Sequence, residues 1–386
     1  MVIQTSNSCS TLVSLEEYKK PIAQGLSSRN DVVTFQKTNL LLPSDSFDDD
    51  EDCSCFAADP HLYLPSAGPV DIYLRGVPQV METADDLLSN PVKVLGASSS
   101  QRILAVGQGE VAHCTPDQAD VIVSDKATTC HVLLLKSTSN RSNVLVSCAH
   151  LDSVHYESCV RAMIAEHETH HNSGGCEQEE KKDDYRYPSQ NSSSVSMEIH
   201  ILGGFEDTES RNISDWLIRL LGSLSHEFQS TMSMRLSTCA ISSMNDDGRG
   251  CPMGRGFAMN LHTGTVFLAK VEASVAGPLL ALRAARLWSG GDKPRRLTLI
   301  HVASNKNISI QPFQYTPMPE SLLALPDPVL LHCTSTSPHA EEPEFCDLIR
   351  STLIFMNTVR SDKIFSASRP LLFVRVGHSN QWRLQS

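Results

Sequence analysis

Short apolar runs separated by polar or glycine-containing turns are the feature of this sequence that most restricts its fold. The runs are rich in leucine and β-branched residues, and that composition favours strands. Because polar residues or glycine bound each run, we expect each to form a separate strand. The predicted strands are 119–124, 131–135, 143–149, 197–202, 236–242, 256–261, 265–271, 297–302, 308–312, 370–376 and 381–384.

Segments with helical spacing lie between these runs. Their apolar residues recur three and four positions apart, which is the pattern of one buried helix face. The predicted helices are 154–168, 213–228, 279–288 and 345–356. Only His262-Thr263-Gly264 joins the strands 256–261 and 265–271, and so short a connection requires a hairpin. The sequence therefore predicts an α+β fold with mixed or antiparallel sheets flanked by helices.

Two polar tracts divide the chain. Residues 1–68 are rich in Ser, Asp and Asn, and the acidic run 45–52 is too charged to offset the entropy lost on ordering. A second tract, at about 172–196, has few apolar residues and lies between two periodic segments. We therefore predict a disordered extension at 1–68 and a globular domain at 69–386 with a disordered surface insertion at about 172–196.

Charge and composition argue against several classes of partner. The formal net charge of −12 disfavours binding to phosphate backbones, and no sustained basic run offsets it. No stretch approaches the roughly 18 to 20 consecutive apolar residues of a membrane span. The 12 cysteines are scattered singly, which suits a reducing compartment better than a disulfide framework. We expect neither nucleic acid nor membrane as a partner, and a cytoplasmic or possibly nuclear location.

Cys130 is the strongest candidate for a chemically reactive group. It ends a polar connection that begins at Ser124, between two predicted strands. The next strand closes at His150, so a hairpin of 131–135 with 143–149 would place Cys130 and His150 at the same end of one sheet. A neighbouring imidazolium lowers a thiol pKa, and we accordingly predict that Cys130 is a thiolate nucleophile with His150 as its acid and base.

Each of these residues also has a structural interpretation. A buried free cysteine often acts only as a small hydrophobic group, and that interpretation is favoured for Cys148 and Cys239. We expect backbone N–H groups around Thr128, Thr129 and Cys130 to stabilise an oxyanion, although the threonines can equally serve to turn the chain. His131 follows Cys130 directly on a strand and should therefore point to the opposite face.

Several motifs add a family resemblance to this pattern. The run SDKATTCHVLLL, from Ser124 to Leu135, is the most distinctive of them. The others are IHILGGF at 199–205, LRAARL at 282–287, YTPMP at 315–319, STSP at 335–338 and IRSTL at 349–353. In combination they resemble the protein N-terminal asparagine amidohydrolase family from about residue 72 to the end of the chain.

This resemblance implies hydrolysis of the side-chain amide of N-terminal asparagine in proteins or peptides, with release of ammonia and without a cofactor. It also implies that the product feeds the arginine branch of N-degron proteolysis, and it makes Cys130 the nucleophile. More distantly the family resembles cysteine-histidine deamidases, in which a β-sandwich is flanked by helices and a hydroxyl group assists the histidine. By that analogy His150 is the base and Ser124 orients it.

A substrate with a free α-amine needs an anionic or carbonyl-lined pocket. Asp125 and Asp152 flank the nucleophile and the base in sequence, so we predict that either can hold the ammonium group. Asp152 can alternatively cap the helix that follows it. Thr128 and Thr129 complete the predicted substrate-binding residues.

Two other classes of function compete with this interpretation. His167-Glu168-Thr169-His170-His171 matches the H-E-x-x-H pattern of zinc metalloproteases, but the helix runs into a polar tract and no third ligand follows at a known spacing. We therefore expect a solvated helix end and no metal there. A non-catalytic binding protein is the other alternative, and it predicts that Cys130 is unreactive.

Overall fold

Two β-sheets packed face to face, with helices on the outer side of the larger sheet, form the centre of this computed structural model. The structure describes residues 68–139, 143–173, 195–247, 250–289, 296–365 and 369–385. Residues 1–67 of the predicted extension at 1–68 lie outside these residues, as do residues 174–194 of the predicted insertion at about 172–196. The ends of that predicted insertion belong to regular elements, since a helix ends at Ser173 and a strand begins at Val195.

The elements follow one another in a mixed order of helices and strands. The strands are β1 (Lys93–Leu95), β2 (Ile103–Val106), β3 (Glu110–Cys114), β4 (Val121–Ala127), β5 (His131–Thr138), β6 (Val144–Leu151), β7 (Val195–Gly203), β8 (Met232–Ile241), β9 (Arg255–Asn260), β10 (Val266–Val271), β11 (Thr298–His301), β12 (Asn307–Ile310), β13 (Leu371–Arg375) and β14 (Trp382–Leu384). The helices are α1 (Val70–Arg75), α2 (Pro78–Ser89), α3 (Glu157–Ser173), α4 (Thr208–Glu227), α5 (Leu280–Ala285), α6 (Glu320–Leu323), α7 (Asp327–Thr334), α8 (Glu344–Thr358) and α9 (Ser361–Ile364). This arrangement confirms the predicted α+β class.

The six-stranded sheet has the order β11-β3-β6-β5-β7-β8. Its centre is the predicted hairpin of β5 and β6, whose register runs from His131 opposite Leu151 to Thr138 opposite Val144. β7 adds to the other side of β5 in an antiparallel sense, whereas β8 and β11 join by parallel pairing. The sheet is therefore mixed, as predicted.

The five-stranded sheet has the order β1-β10-β9-β4-β2. β9 and β10 form the second predicted hairpin, and Gly264 in its turn has a φ of 75°, a conformation that glycine adopts without strain. β2 and β4 are parallel neighbours, with Val106 opposite Ser124. A small third sheet has the order β12-β13-β14.

Alternation along the strands divides the apolar side chains between two layers. Leu133 and Leu135 of β5 pack with α3 and α4 on one face of the six-stranded sheet. Val132 and Leu134 point to the other face and pack with residues of the five-stranded sheet such as Phe257. The predicted β-sandwich flanked by helices is thus confirmed, while its likeness to cysteine-histidine deamidases stays a prediction.

The elements that sequence reasoning missed are mostly short. β1 has three residues and β2 has four, so each offers too little alternation to be recognised in a sequence. α2 was missed as well, although Pro78 occupies its first turn, a favoured position for proline. Among the described residues, no helix is long and apolar enough to cross a membrane.

The H-E-x-x-H segment lies on α3, where its histidines bind serines of the six-stranded sheet. Ser137 Oγ lies 2.6 Å from His167 Nδ1 and 2.7 Å from His171 Nε2. Ser147 Oγ lies 2.7 Å from His167 Nε2 and 2.6 Å from His113 Nδ1. Both ring nitrogens of His167 are therefore hydrogen bonded to serines, so this residue anchors α3 to the sheet and offers no free nitrogen to a metal. The expected solvated helix end is wrong at His167, which is fully buried.

Buried histidines should make the fold sensitive to mild acid. Burial lowers the pKa of His113 to about 4 and that of His131 to about 3, and it holds the pKa of His167 well below its ordinary value. The unfolded chain has histidine pKa values of about 6.5 and binds more protons below that pH. Each such histidine should then lower the free energy of unfolding by about 1.4 kcal/mol per pH unit as the pH falls from about 6.5 towards its folded pKa.

Urea unfolding at a series of pH values between about 7 and 4.5 measures this effect. In the His167→Gln variant the free energy of unfolding should change less steeply with pH, by about 1.4 kcal/mol per pH unit, because one titrating group is gone. A free energy of unfolding that stays constant across this window would contradict the prediction.

Candidate active site

A serine and a histidine from different sheets meet between the two layers. Ser124 lies on β4 of the five-stranded sheet and His150 on β6 of the six-stranded sheet. The Ser124 hydroxyl donates to the backbone oxygen of Val106 at 2.7 Å, and its oxygen lies 2.8 Å from His150 Nδ1. Since the hydroxyl proton is used for Val106, Ser124 accepts from Nδ1–H. This arrangement fixes the tautomer in which His150 Nε2 carries a free lone pair.

His150 Nε2 is buried and has no hydrogen-bond partner among the described residues. The residue as a whole is only 2% exposed. A buried nitrogen without a partner is costly and calls for an explanation, and a catalytic role is one such explanation. Its free lone pair is the feature required of a general base.

Cys130 lies on the same face of the sheet as His150. β5 and β6 pair Val132 with His150, and Cys130 precedes Val132 by two residues. Cys130 lies just outside β5, but it packs against the apolar core between the two sheets, the side on which His150 contacts Ser124, so it is the diagonal neighbour of His150. Such neighbours have Cα atoms about 7 to 8 Å apart and are within reach of long or aromatic side chains. The hairpin thus brings the predicted nucleophile and base together.

Two glycines allow the chain to approach Cys130 closely. Gly204 N–H donates to the backbone oxygen of Cys130 at 2.8 Å. Gly203 has a φ of 122°, and a Cβ there would lie 2.2 Å from that same oxygen. Only glycine fits such a position. The Gly203-Gly204 pair of the IHILGGF motif therefore fixes the backbone that carries the thiol.

The charges around Cys130 favour its neutral form. Burial raises the pKa of the Cys130 thiol, and the negative charges of Asp152 and Glu341 act in the same direction, against a hydrogen bond with Thr129. Burial also lowers the pKa of His150 to about 4. The substrate-free site therefore holds a neutral thiol beside a neutral imidazole. This is opposite to the thiolate predicted from the sequence, because that prediction considered neither burial nor these carboxylates.

Backbone amides beside Cys130 are available to bind an oxyanion. The N–H groups of Thr129 and Cys130 donate no hydrogen bond within the part of the chain that the structure describes. α4 begins nearby, since Ser210 Oγ in its first turn lies 3.1 Å from the backbone oxygen of Thr129. The N-terminal end of this helix adds a positive partial charge to the same region.

The two threonines take different positions. Thr128 is buried, and its Cγ2 would lie 3.4 Å from a Cβ built on Gly254. Thr129 Oγ1 lies 3.0 Å from Thr336 Oγ1, and the Thr129 side chain acts to lower the pKa of the Cys130 thiol. Thr129 therefore reaches the site with its side chain, whereas the Thr128 side chain packs beside it.

Asp125 is engaged in the five-stranded sheet. Its Oδ1 accepts from the Lys126 N–H and its Oδ2 from the Val271 N–H, both at 2.7 Å. The side chain passes over Gly256, where a Cβ would lie 2.6 Å from Oδ1. Both carboxylate oxygens thus hold backbone amides, and the structure does not bring Asp125 into the group formed by Cys130 and His150.

Asp152 lies close to Cys130 and His150, since its charge acts on both of them. Its carboxylate accepts from Gln108 Nε2 at 2.8 Å and from the Tyr156 hydroxyl at 2.5 Å. α3 begins only at Glu157, so Asp152 is too far from the helix to be its N-cap residue. The alternative capping role is therefore wrong.

Some residues at the site were not assigned to it from the sequence. They are Gly203, Gly204, Ser210, Thr336 and Glu341. The glycines and Thr336 belong to motifs that carried the family resemblance, so the motifs contained a signal that was not used. His131, in contrast, was correctly placed on the other face, where its Nε2 lies 2.7 Å from Ser214 Oγ of α4.

Comparison with known proteins places this site in a family. Residues 94–182 and 183–384 match the family described as protein N-terminal asparagine amidohydrolase. A Sus scrofa protein of that name is 29% identical over 309 residues, which cover 78% of this chain and 88% of the relative. Proteins of the same name from Homo sapiens and Mus musculus are each 29% identical over 309 residues, with 78% of this chain and 89% of the relative covered.

Proposed function

The chain belongs to the protein N-terminal asparagine amidohydrolase family, and from this membership we propose that it hydrolyses the side-chain amide of N-terminal asparagine. Its substrates are proteins and peptides that begin with asparagine, and its products are N-terminal aspartate and ammonia. The observation that carries this proposal is the Ser124–His150 hydrogen bond, which leaves a free lone pair on Nε2 beside Cys130. Three side chains thus have the roles required for amide hydrolysis by a thiol.

We propose that the first half of the reaction is acyl transfer to sulfur. Cys130 Sγ attacks the carboxamide carbon while His150 Nε2 takes the thiol proton. The amides of Thr129 and Cys130 stabilise the oxyanion that forms. The C–N bond then breaks, His150 returns the proton to nitrogen, and ammonia leaves. The product of this half is a thioester between Cys130 and the substrate's side-chain acyl group.

In the second half, water resolves the thioester. His150 Nε2 removes a proton from the water as it attacks the acyl carbon, and the C–S bond breaks. The proton returns to sulfur, which restores the neutral thiol and neutral imidazole. Because burial disfavours both charged forms, the proton moves together with the attack rather than before it. No cofactor takes part in the proposed reaction.

The product's N-terminal aspartate places the reaction upstream of a step that recognises acidic N-terminal residues. We accordingly propose that it feeds the arginine branch of N-degron proteolysis, in the cytoplasm or nucleus. We also propose that residues 69–386 form the amidohydrolase domain. Nucleic acid and membranes are not proposed as partners.

Ser124→Ala should reduce kcat by about 10- to 100-fold with a small change in KM. The hydroxyl holds the His150 ring and its tautomer, and its loss leaves Nδ1–H without this acceptor in a buried site. Steady-state ammonia release measures the effect. Ser124→Thr, which keeps the hydroxyl, should recover part of the activity, and an equal loss in both variants would contradict an orienting role for the hydroxyl.

A panel of three peptides tests the proposed function. The first begins with a free asparagine, the second is the same peptide acetylated on its α-amine, and the third begins with glutamine. Ammonia release, together with the mass change from amide to acid, should occur with the first peptide alone. Absence of release from all three would leave the non-catalytic binding protein as the better interpretation.

A further inference from the structure

A segment distant in sequence lies beside the nucleophile. Thr336 Oγ1 is 3.0 Å from Thr129 Oγ1, one residue before Cys130. A Cβ built on Gly254 would lie 3.4 Å from Thr128 Cγ2 and 3.5 Å from the backbone oxygen of Ala340. Residues 335–341, which connect α7 to α8, therefore run alongside the segment that carries the thiol.

Within this segment, Glu341 is held by one of its carboxylate oxygens. Ser335 Oγ donates to Oε1 at 2.5 Å and itself accepts from the Ser337 N–H at 2.9 Å. Glu341 is half-buried, and its Oε2 has no hydrogen-bond partner among the residues described. Its charge nevertheless reaches the Cys130 thiol. Ser335 thus holds Oε1 of the carboxylate, whereas Oε2 is open to a ligand.

The other carboxylates near Cys130 are less suited to bind a substrate cation. Asp152 already accepts hydrogen bonds on both oxygens, from Gln108 and Tyr156. Glu209 is exposed in the first turn of α4, where an acidic side chain interacts favourably with the helix end. Glu341 combines a fixed position, an open oxygen and proximity to the nucleophile.

We propose that Glu341 binds the α-ammonium group of the substrate's N-terminal residue through Oε2, a role that rests on the function proposed above. The ammonium group and the carboxamide of asparagine belong to the same residue, so one anchor beside Cys130 sets the distance from amine to scissile amide. An acetylated α-amine carries no charge and is excluded by the same contact. The bound ammonium also offsets negative charge around the thiol, which favours development of negative charge on sulfur.

Two probes isolate the ammonium group. One is a peptide with a free N-terminal asparagine, and the other is the same peptide with the α-amine replaced by hydrogen, so that the carboxamide is kept. Removing the amine should lower kcat/KM of the wild-type protein by about 10- to 100-fold, the range expected for a charge-assisted hydrogen bond. In Glu341→Gln the ratio of kcat/KM between the two probes should shrink to within about threefold, because the variant loses activity mainly on the probe with the free amine.

Glu342→Gln is the matched control. Glu342 is the next residue along the chain, and it pairs with Lys270 at 2.9 Å. This variant should keep the wild-type ratio between the probes, because its carboxylate is already committed to an ion pair.

Three results would overturn the proposal. If Glu341→Gln kept the wild-type ratio of kcat/KM between the two probes, another group would bind the ammonium. An equal loss on both probes would assign Glu341 a structural role in the 335–341 segment. If the wild-type protein released ammonia from neither probe, the proposed function itself would be overturned, and with it the role of Glu341.

Discussion

Replacing Cys130 by alanine should lower kcat/KM for a peptide with N-terminal asparagine by about 10⁴-fold or more. In the proposed mechanism the sulfur forms the covalent bond, and neither His150 nor the neighbouring amides can replace it. The loss should appear in kcat, because the substrate-binding groups remain. Ammonia release and peptide mass spectrometry measure it, with circular dichroism to verify the fold.

Cys159→Ala provides a control for this substitution. Cys159 is also a free cysteine of intermediate exposure, but it lies on α3 and packs against the apolar core between the six-stranded sheet and the helices. Its replacement should leave kcat and KM close to wild type. Residual activity of Cys130→Ala within about tenfold of wild type would exclude Cys130 as the nucleophile.

Substituting asparagine for His150 should lower kcat by about 10²- to 10⁴-fold. The asparagine amide can still donate a hydrogen bond towards Ser124, whereas the lone pair of Nε2 is lost. With the thiol held neutral by burial, its proton then has no acceptor at the moment of attack. Pre-steady-state measurement of ammonia release should show that formation of the thioester itself has become slow.

His155→Asn is the matched control for this variant. His155 is exposed in the segment just after β6, so its replacement tests for general effects of losing an imidazole near the site. Its kcat should remain within about threefold of wild type. A similar loss of activity in both variants would contradict the assignment of His150 as the base.

The hairpin that carries the site was predictable because its pattern is local. β5 and β6 are long, apolar and close in sequence, and their register alone places Cys130 diagonal to His150. The Ser124–His150 hydrogen bond was suggested only by family resemblance, since the two residues lie in different sheets. The Val106 carbonyl that orients the Ser124 hydroxyl could not be predicted, because β2 has only four residues.

Electrostatic properties were harder to predict than positions. Asp125 and Asp152 are similarly placed in sequence, yet Asp125 holds backbone amides of a sheet whereas Asp152 lies near Cys130 and His150. Glu341 is more than two hundred residues from Cys130, and no sequence pattern connects them. The direction of the Cys130 pKa depends on burial and on these carboxylates, so it required the three-dimensional arrangement.

The H-E-x-x-H segment shows how a short motif can suggest a function, here a zinc site, that the fold does not support. Its spacing does place two imidazoles on one face of a helix, but that face packs on strands β5 and β6. The hydroxyls of Ser137 and Ser147 form hydrogen bonds with the two ring nitrogens of His167. The pattern therefore has a structural explanation in this chain, visible only once the sheet beneath the helix is known.

The most direct test of thiol-dependent deamidation is to trap the intermediate. The protein is mixed with a peptide that begins with asparagine, quenched in acid during turnover, and analysed by intact mass and by mapping of proteolytic fragments. We predict an adduct with the mass of the peptide less ammonia, attached to the fragment that contains Cys130 and absent from Cys130→Ala. Continued ammonia release by Cys130→Ala, with no adduct on the wild-type protein, would contradict a thioester mechanism at this cysteine.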